Sequence, residues 1–201
     1  MIAVSGSGIA GLAAALAILR NQKPLLLVAG STPATTLHGG VQIAPNGWAA
    51  LDQLGLGDAA RARATKLQAI TVRDMRSTAT LASLDLSASP YASLSRAELA
   101  SLLKAEISAA SGMTHIAANI THLVQRGPDQ GKALHMLTDD GDRHIVDALI
   151  AADGVSGFGR HYVNGTDHGT DTAPNKGRVA MRAVAKTADL PRIFSQPFCN
   201  L

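Results

Sequence analysis

Gly6-Ser7-Gly8-Ile9-Ala10-Gly11 decides the reading of this chain. It follows a short apolar run at residues 2–4 and opens an Ala- and Leu-rich stretch at residues 9–21. A continuous apolar run returns at residues 24–29. Strand, glycine turn, helix and buried second strand, in that order, make a βαβ unit, the start of a doubly wound parallel sheet. The glycines have distinct uses in such a unit. Gly6 makes the tight turn after the strand, Gly8 lacks a Cβ and lets a pyrophosphate approach the backbone, and Gly11 lets the helix pack close on the strand. The helix start then offers free amides and a positive dipole end to the phosphates. The spacing therefore points to a dinucleotide held by Gly6, Ser7, Gly8, Ile9, Ala10 and Gly11. The alternative is a glycine turn of purely structural use. One part of the pattern is missing. The second strand should end in an acidic residue for the ribose hydroxyls, but that position is Ala29, followed by Gly30 and Ser31, leaving Ser31 or a backbone group to substitute.

Composition frames this unit. The chain has 201 residues, 46% of them hydrophobic and only 16% charged, which fits packed α/β layers and one domain with part of another. The net charge is +3 with Lys and Arg scattered, so no nucleic-acid footprint is expected. A single cysteine, Cys199, excludes a disulfide within the chain and suits a reducing cytoplasm. The apolar run at residues 8–19 has no Lys or Arg before it and is too short for a bilayer, so it reads as a buried helix rather than a leader or anchor.

Further along, residues 47–54 read as a short helix capped by Asn46 and ended by Gly55. Residues 67–86 place apolar side chains at Leu67, Ile70, Val72, Leu81, Leu84 and Leu86, which suggests strands of a different, antiparallel layer. Ser95-Arg96-Ala97-Glu98 is a capping box that opens a helix to about residue 110, with Gly112 beyond its end. Residues 132–138 and 144–152 form an expected hairpin around Asp139-Asp140-Gly141-Asp142, the second strand running into Asp153-Gly154. Residues 166–176 read as a loop, and 177–185 as the start of another strand.

With these segments in order, the chain resembles the flavoprotein monooxygenases of the para-hydroxybenzoate hydroxylase fold, in particular the salicylate-hydroxylase-like branch. Gly39-Gly40-Val41-Gln42-Ile43-Ala44-Pro45-Asn46 and Ala50-Leu51-Asp52-Gln53-Leu54-Gly55-Leu56 resemble the segment after the second strand. Ser95-Arg96-Ala97-Glu98-Leu99 resembles a His-Arg-x-x-Leu segment whose arginine contacts FAD. Ala152-Asp153-Gly154-Val155, with Arg160 beyond, resembles an Asp-Gly motif associated with FAD and NAD(P)H. Residues 177–183 are similar to the start of the substrate-domain sheet. Ser95 stands where histidine is usual, Gly157 where serine is usual, and Met181 where tryptophan is common.

The resemblance implies a Rossmann-like doubly wound FAD-binding sheet with part of a second, mainly antiparallel, substrate-domain sheet. It implies a discontinuous FAD-binding domain over 1–70 and 93–165, and a partial substrate domain over 71–92 and 166–201. It adds Arg96, Asp153 and Gly154 to the cofactor site. It further implies that NAD(P)H reduces FAD and that O2 then supplies one oxygen atom to a small aromatic substrate, the hard chemistry belonging to the cofactor. On this resemblance the family's later Gly-Asp-Ala segment and most of its substrate domain have no counterpart in these 201 residues. The chain by itself is therefore expected to bind FAD weakly at best and not to hydroxylate.

Each carried-over residue has a plainer role open to it: Arg96 as an exposed helix arginine, Asp153 as a turn former, Arg160 as an ion-pair partner, His38 as a solvated loop residue. His135, His144, His161 and His168 lack a metal-ligand spacing, and Asp140 and Asp142 fit a hairpin turn rather than a calcium loop. No nucleophile–base pair is evident, and catalytic residues and oligomeric state stay open. The rival readings are an NAD(P)-linked dehydrogenase or flavin reductase on a similar βαβ start, and a non-catalytic remnant of the nucleotide-binding fold.

Overall fold

The structure is a computed structural model and describes residues 1–30, 39–74, 76–125 and 133–165. These fall into two compact units, one within Met1–Thr36 and Ala100–Arg178, the other within Leu37–Leu99 and Val179–Leu201.

The first unit is built on the βαβ start. Strand β1 (Ile2–Ser5) leads through the glycine turn into helix α1 (Ile9–Arg20), which returns the chain to β2 (Leu25–Val28). Both strands are flanked on two sides, in a parallel sheet completed by β8 (Met113–Ile116) at one edge and β12 (Ala148–Ala151) at the other, in the order β12-β1-β2-β8. A strand covered on both faces needs apolar side chains at every position, and Leu25–Val28 is buried throughout. On α1 the buried residues Gly11, Leu12, Ala15, Leu16, Ile18 and Leu19 recur at helical spacing, and this face lies on the sheet.

A three-stranded antiparallel sheet joins the first through side chains that alternate along the strands. It comprises β9 (Ile120–Gln125), β10 (Leu134–Thr138) and β11 (Arg143–Val146), with β10 in the middle. Ala3, Leu26 and Val28 from the parallel sheet meet Ile120, Met136 and Val146 from the antiparallel one in a single buried cluster. Helix α5 (Phe158–Asn164) packs on β12 and β9.

The single strand expected over 144–152 is two. It breaks at Asp147, whose N–H donates to the Met1 carbonyl at 2.9 Å and whose carboxylate pairs with the Met1 ammonium. Before the break β11 pairs antiparallel with β10; after it β12 pairs parallel with β1. Sequence pattern shows an apolar run but not a change of sheet within it. Strands β8 and β9 also escaped the pattern. Much of each is exposed, so neither shows a continuous apolar run.

The second unit holds β3 (Gly40–Ile43), α2 (Pro45–Gln53), α3 (Gly57–Arg61), β4 (Thr65–Lys66), β5 (Ala69–Arg73), β6 (Thr80–Asp85) and β7 (Ala92–Ser95), which leads into α4 (Arg96–Ala109). β3 and β4 flank β7 antiparallel, and β5 and β6 form a separate hairpin. Helix α2 starts earlier than expected. Ala44 is its N-cap and Pro45 its first residue, so Asn46 lies inside the helix. Proline suits that position because its missing N–H has no helical acceptor there anyway. At the other end Gly55 N–H bonds to Asp52 O at 2.9 Å and Leu56 N–H to Leu51 O at 2.8 Å, a Schellman closure at the expected glycine. The expected antiparallel layer at 67–86 is the β5–β6 hairpin, but only Leu67 and Leu86 at its base are buried. Val72, Leu81 and Leu84 are 51%, 65% and 57% exposed. The strand expected at 177–185 and the loop at 166–176 lie outside the described residues.

Candidate functional site

The carboxyl ends of the parallel strands converge on one cleft of about 810 Å³. Backbone bonds bring them level: Gly6 N–H to Val28 O at 2.8 Å, Ala29 N–H to Ile116 O at 3.1 Å, and Ala152 N–H to Ser5 O at 2.9 Å. Ligands of open α/β sheets bind at this end of the strands. The turn at residues 5–8, Ala29 and Gly30, Asn119, Asp139, and Asp153 with Gly154 line the cleft.

The glycines differ in what surrounds them. Gly6 has φ +96°, and a β-carbon there would overlap the Ala152 carbonyl and lie 2.9 Å from Asp153 Cα. A β-carbon on Gly11 would overlap the Gly6 carbonyl. These two close the turn against its own backbone. Gly8 is different: a β-carbon there meets nothing within 4 Å. It is the N-cap of α1, and its carbonyl accepts the Leu12 N–H at 2.9 Å. The N–H groups of Ile9, Ala10 and Gly11 precede that first helical bond and have no acceptor within the helix. No side chain caps this end.

One polar side chain in the cleft wall is unsatisfied. Ser5 Oγ, on a residue 3% exposed, has no hydrogen-bond partner among the described residues. A buried hydroxyl without a partner is costly, and a ligand polar atom would complete it.

Asp153 folds back over its own turn. Its Oδ2 accepts the Gly159 N–H at 3.1 Å, inside the first turn of α5. A β-carbon on Gly157 would overlap this carboxylate, which gives a steric reason for glycine where the family resemblance leads one to expect serine. Gly154, at φ +89°, makes the turn. Arg96 lies in the second unit as the first residue of α4. Its N–H donates to Gly39 O at 3.0 Å, and the Ser95 hydroxyl accepts the Glu98 N–H at 3.0 Å, the expected cap. Residues 6–11, Asp153 and Gly154 thus come together in the first unit, with Arg96 in the second.

Sequence reasoning missed Asn119 and Asp139. Asp139 N–H donates to Asn119 O at 2.9 Å. In return its carboxylate accepts the Asn119 N–H at 2.9 Å and the Asn119 Nδ2 at 2.7 Å. The backbone N–H of Asn119, then its carboxamide, hold the Asp139 carboxyl below the usual carboxylate range. Asp140 is also lowered, first by the Thr138 hydroxyl at 2.6 Å and then by the Asp142 N–H, and it stays within the hairpin turn as expected. No cluster of three metal-ligating side chains occurs among the described residues, and no helix there is long and apolar enough to cross a membrane. His38 and His168 lie outside the described residues.

The sequence pattern of a family described as "FAD binding domain" matches residues 1–198. The chain is 29% identical over 216 residues to a 3-hydroxybenzoate 6-hydroxylase of Polaromonas naphthalenivorans (strain CJ2), covering 100% of this chain and 52% of that protein. It is 32% identical over 204 residues to the 3-amino-4-hydroxybenzoate 2-monooxygenase PtnB3 of Streptomyces platensis, covering 98% and 48%. It spans about half the length of these relatives. Among solved structures, Klebsiella pneumoniae HpxO complexed with FAD and uric acid superposes with a TM-score of 0.67 at 24% identity, over 83% of this chain and 42% of that one. The p-nitrophenol 4-monooxygenase PnpA from Pseudomonas putida DLL-E4 gives 0.65 at 20%, over 81% and 42%. At these identities the structures establish the shared fold.

Proposed function

The chain belongs to the FAD binding domain family, and from that premise we propose that it is the FAD-binding part of a monooxygenase that uses NAD(P)H and O2 to hydroxylate a small aromatic substrate. The overall reaction converts an aromatic C–H, O2, NAD(P)H and a proton into C–OH, water and NAD(P)+. Bound FAD supplies the redox chemistry; the residues of this chain bind and orient it.

The observation that carries the reading is the unfinished polarity of the cleft. Ser5, whose buried hydroxyl is unpartnered, Gly6, Ser7 and Gly8 with its open face line one space at the carboxyl ends of the sheet, and the three helix-start amides follow directly after Gly8. A diphosphate is an acceptor-only group with negative charge, the complement of free N–H donors and a positive helix end. In this reading Gly6, Ser7, Gly8, Ile9, Ala10 and Gly11 hold the pyrophosphate. Gly154 and Asp153 border the same cleft, and Arg96 supplies a charge-assisted contact from its helix start. The hydroxybenzoate relatives favour a phenol as substrate. The domain division 1–70 with 93–165, and 71–92 with 166–201, belongs to the same reading, as does a cytoplasmic location.

The test is fluorescence titration of the purified 201-residue chain with FAD, followed by anaerobic reduction with NADH or NADPH. Weak but saturable quenching is expected, with at most flavin reduction uncoupled from hydroxylation. A folded chain that binds no flavin overturns the proposal.

A further inference from the structure

The dinucleotide pattern asks for an acidic residue just beyond β2 to accept the ribose hydroxyls, and Ala29 cannot do so. The structure places other acceptors at that spot. A β-carbon on Gly30 would overlap Asn119 Oδ1 and lie 3.0 Å from its Cγ. The Asn119 carboxamide therefore occupies the space a side chain at position 30 would take. Its orientation is fixed chemically. Nδ2 donates to the Asp139 carboxylate at 2.7 Å, and a carboxylate can only accept, so the other end, Oδ1, is the acceptor facing Gly30.

The backbone is shaped to make this pair. Along β9 and β10 the register runs Met136↔Leu123, Leu137↔His122, and then shifts, so that Thr138 pairs with Ile120. Without the shift Thr138 would face Thr121 and Asp139 would face Ile120. The irregularity moves Asp139 one residue along, opposite Asn119, where three hydrogen bonds join them. Bulges are a recurrent way to re-aim a side chain beside a site. Both residues line the same cleft as Ser5 and Gly8.

We propose that Asn119, held by Asp139, replaces the missing acidic residue and accepts the ribose hydroxyls of the adenosine half of FAD. The proposal rests on the FAD reading above and adds to it the residues that recognise the ribose. The ionised Asp139 puts a negative charge beside that acceptor, so a ribose carrying a 2′-phosphate is disfavoured at this position while free hydroxyls are favoured.

The probes are FAD and an FAD analogue whose adenosine lacks the 2′ and 3′ hydroxyls, titrated by flavin fluorescence. The chain as it exists should bind the analogue roughly ten- to a hundredfold more weakly, the loss of hydrogen bonds to an oriented polar pair. Asn119→Ala should bind FAD and the analogue equally, both at the weaker level. Its backbone N–H to Asp139 remains, and circular dichroism checks that it folds. Gly30→Ala is the second variant, because its β-carbon displaces the carboxamide without changing Asn119. It too should lose the discrimination. If the unmodified chain binds FAD but does not distinguish the analogue, or if Asn119→Ala and Gly30→Ala still distinguish it, the Asn119 assignment falls and the FAD reading stands. If the unmodified chain binds neither, the FAD reading itself falls.

Discussion

At the scale of single residues, the three glycines of the turn separate folding from binding. A valine at Gly8 projects into open space, so Gly8→Val should fold with little change in stability and yet lose FAD, because the branched side chain occupies the pyrophosphate position. Gly6→Ala and Gly11→Ala press a β-carbon into backbone carbonyls, which cannot move aside like a side-chain tip, and should destabilise by roughly 3 kcal/mol. Thermal melts with and without flavin distinguish the cases; a Gly8→Val protein with unchanged FAD affinity removes the turn from the site. Ser5 makes the converse prediction. Its hydroxyl is buried without a partner, so Ser5→Ala should stabilise the flavin-free chain by about 1 kcal/mol and weaken FAD. Loss of flavin-free stability instead would mean that the hydroxyl is already satisfied. The glycine spacing was legible because the three glycines recur as a short local pattern between strand and helix, Gly6 and Gly11 closing the turn and Gly8 leaving its face open. Asn119 and Asp139 were not, because their pairing depends on a one-residue register shift between strands.

At the scale of elements, local chemistry was read well where a terminus carries its own signal. The Ser95 cap and the Gly55 closure are where the sequence places them. The start of α2 was not, since proline at a first helical position outweighed the asparagine after it. Ser95 and Arg96 stand side by side with separable tasks. Ser95→Ala should cost about 1 kcal/mol of stability through the lost cap and leave FAD affinity unchanged. Arg96→Ala keeps the cap and a good helix former, so it should leave the melting temperature in place and weaken FAD by roughly 1.5–3 kcal/mol. Paired melts and flavin titrations read both. A fall in stability with unchanged FAD affinity in Arg96→Ala would make it a structural arginine. The β11–β12 break shows what pattern misses: an apolar run predicts burial, while the choice of sheet depends on partners far away in the sequence.

At the scale of the molecule, the βαβ start carried the parallel sheet, and alternation found the β5–β6 hairpin. The exposure of Val72, Leu81 and Leu84 was invisible to it, because alternation marks which side chains share a face and not whether that face is covered. The pairing of β1 with β12 also sets an order in time. Ile2 pairs with Ala148, and the turn at Gly6 closes against Ala152. During synthesis at ~5–20 residues per second, the first strand waits on the order of ten seconds for its neighbour to be made. Until then β1 has β2 beside it but no β12, and the wall that closes the glycine turn does not yet exist. Ribosome-stalled chains ending before Ala148 should therefore stay open to protease across the N-terminal unit and hold no flavin, while chains extended past α5 gain both protections. Early protection in the shorter chains would show that β1, α1 and β2 fold as an independent unit. The signature nearest the N-terminus is thus among the last parts of its unit to be finished.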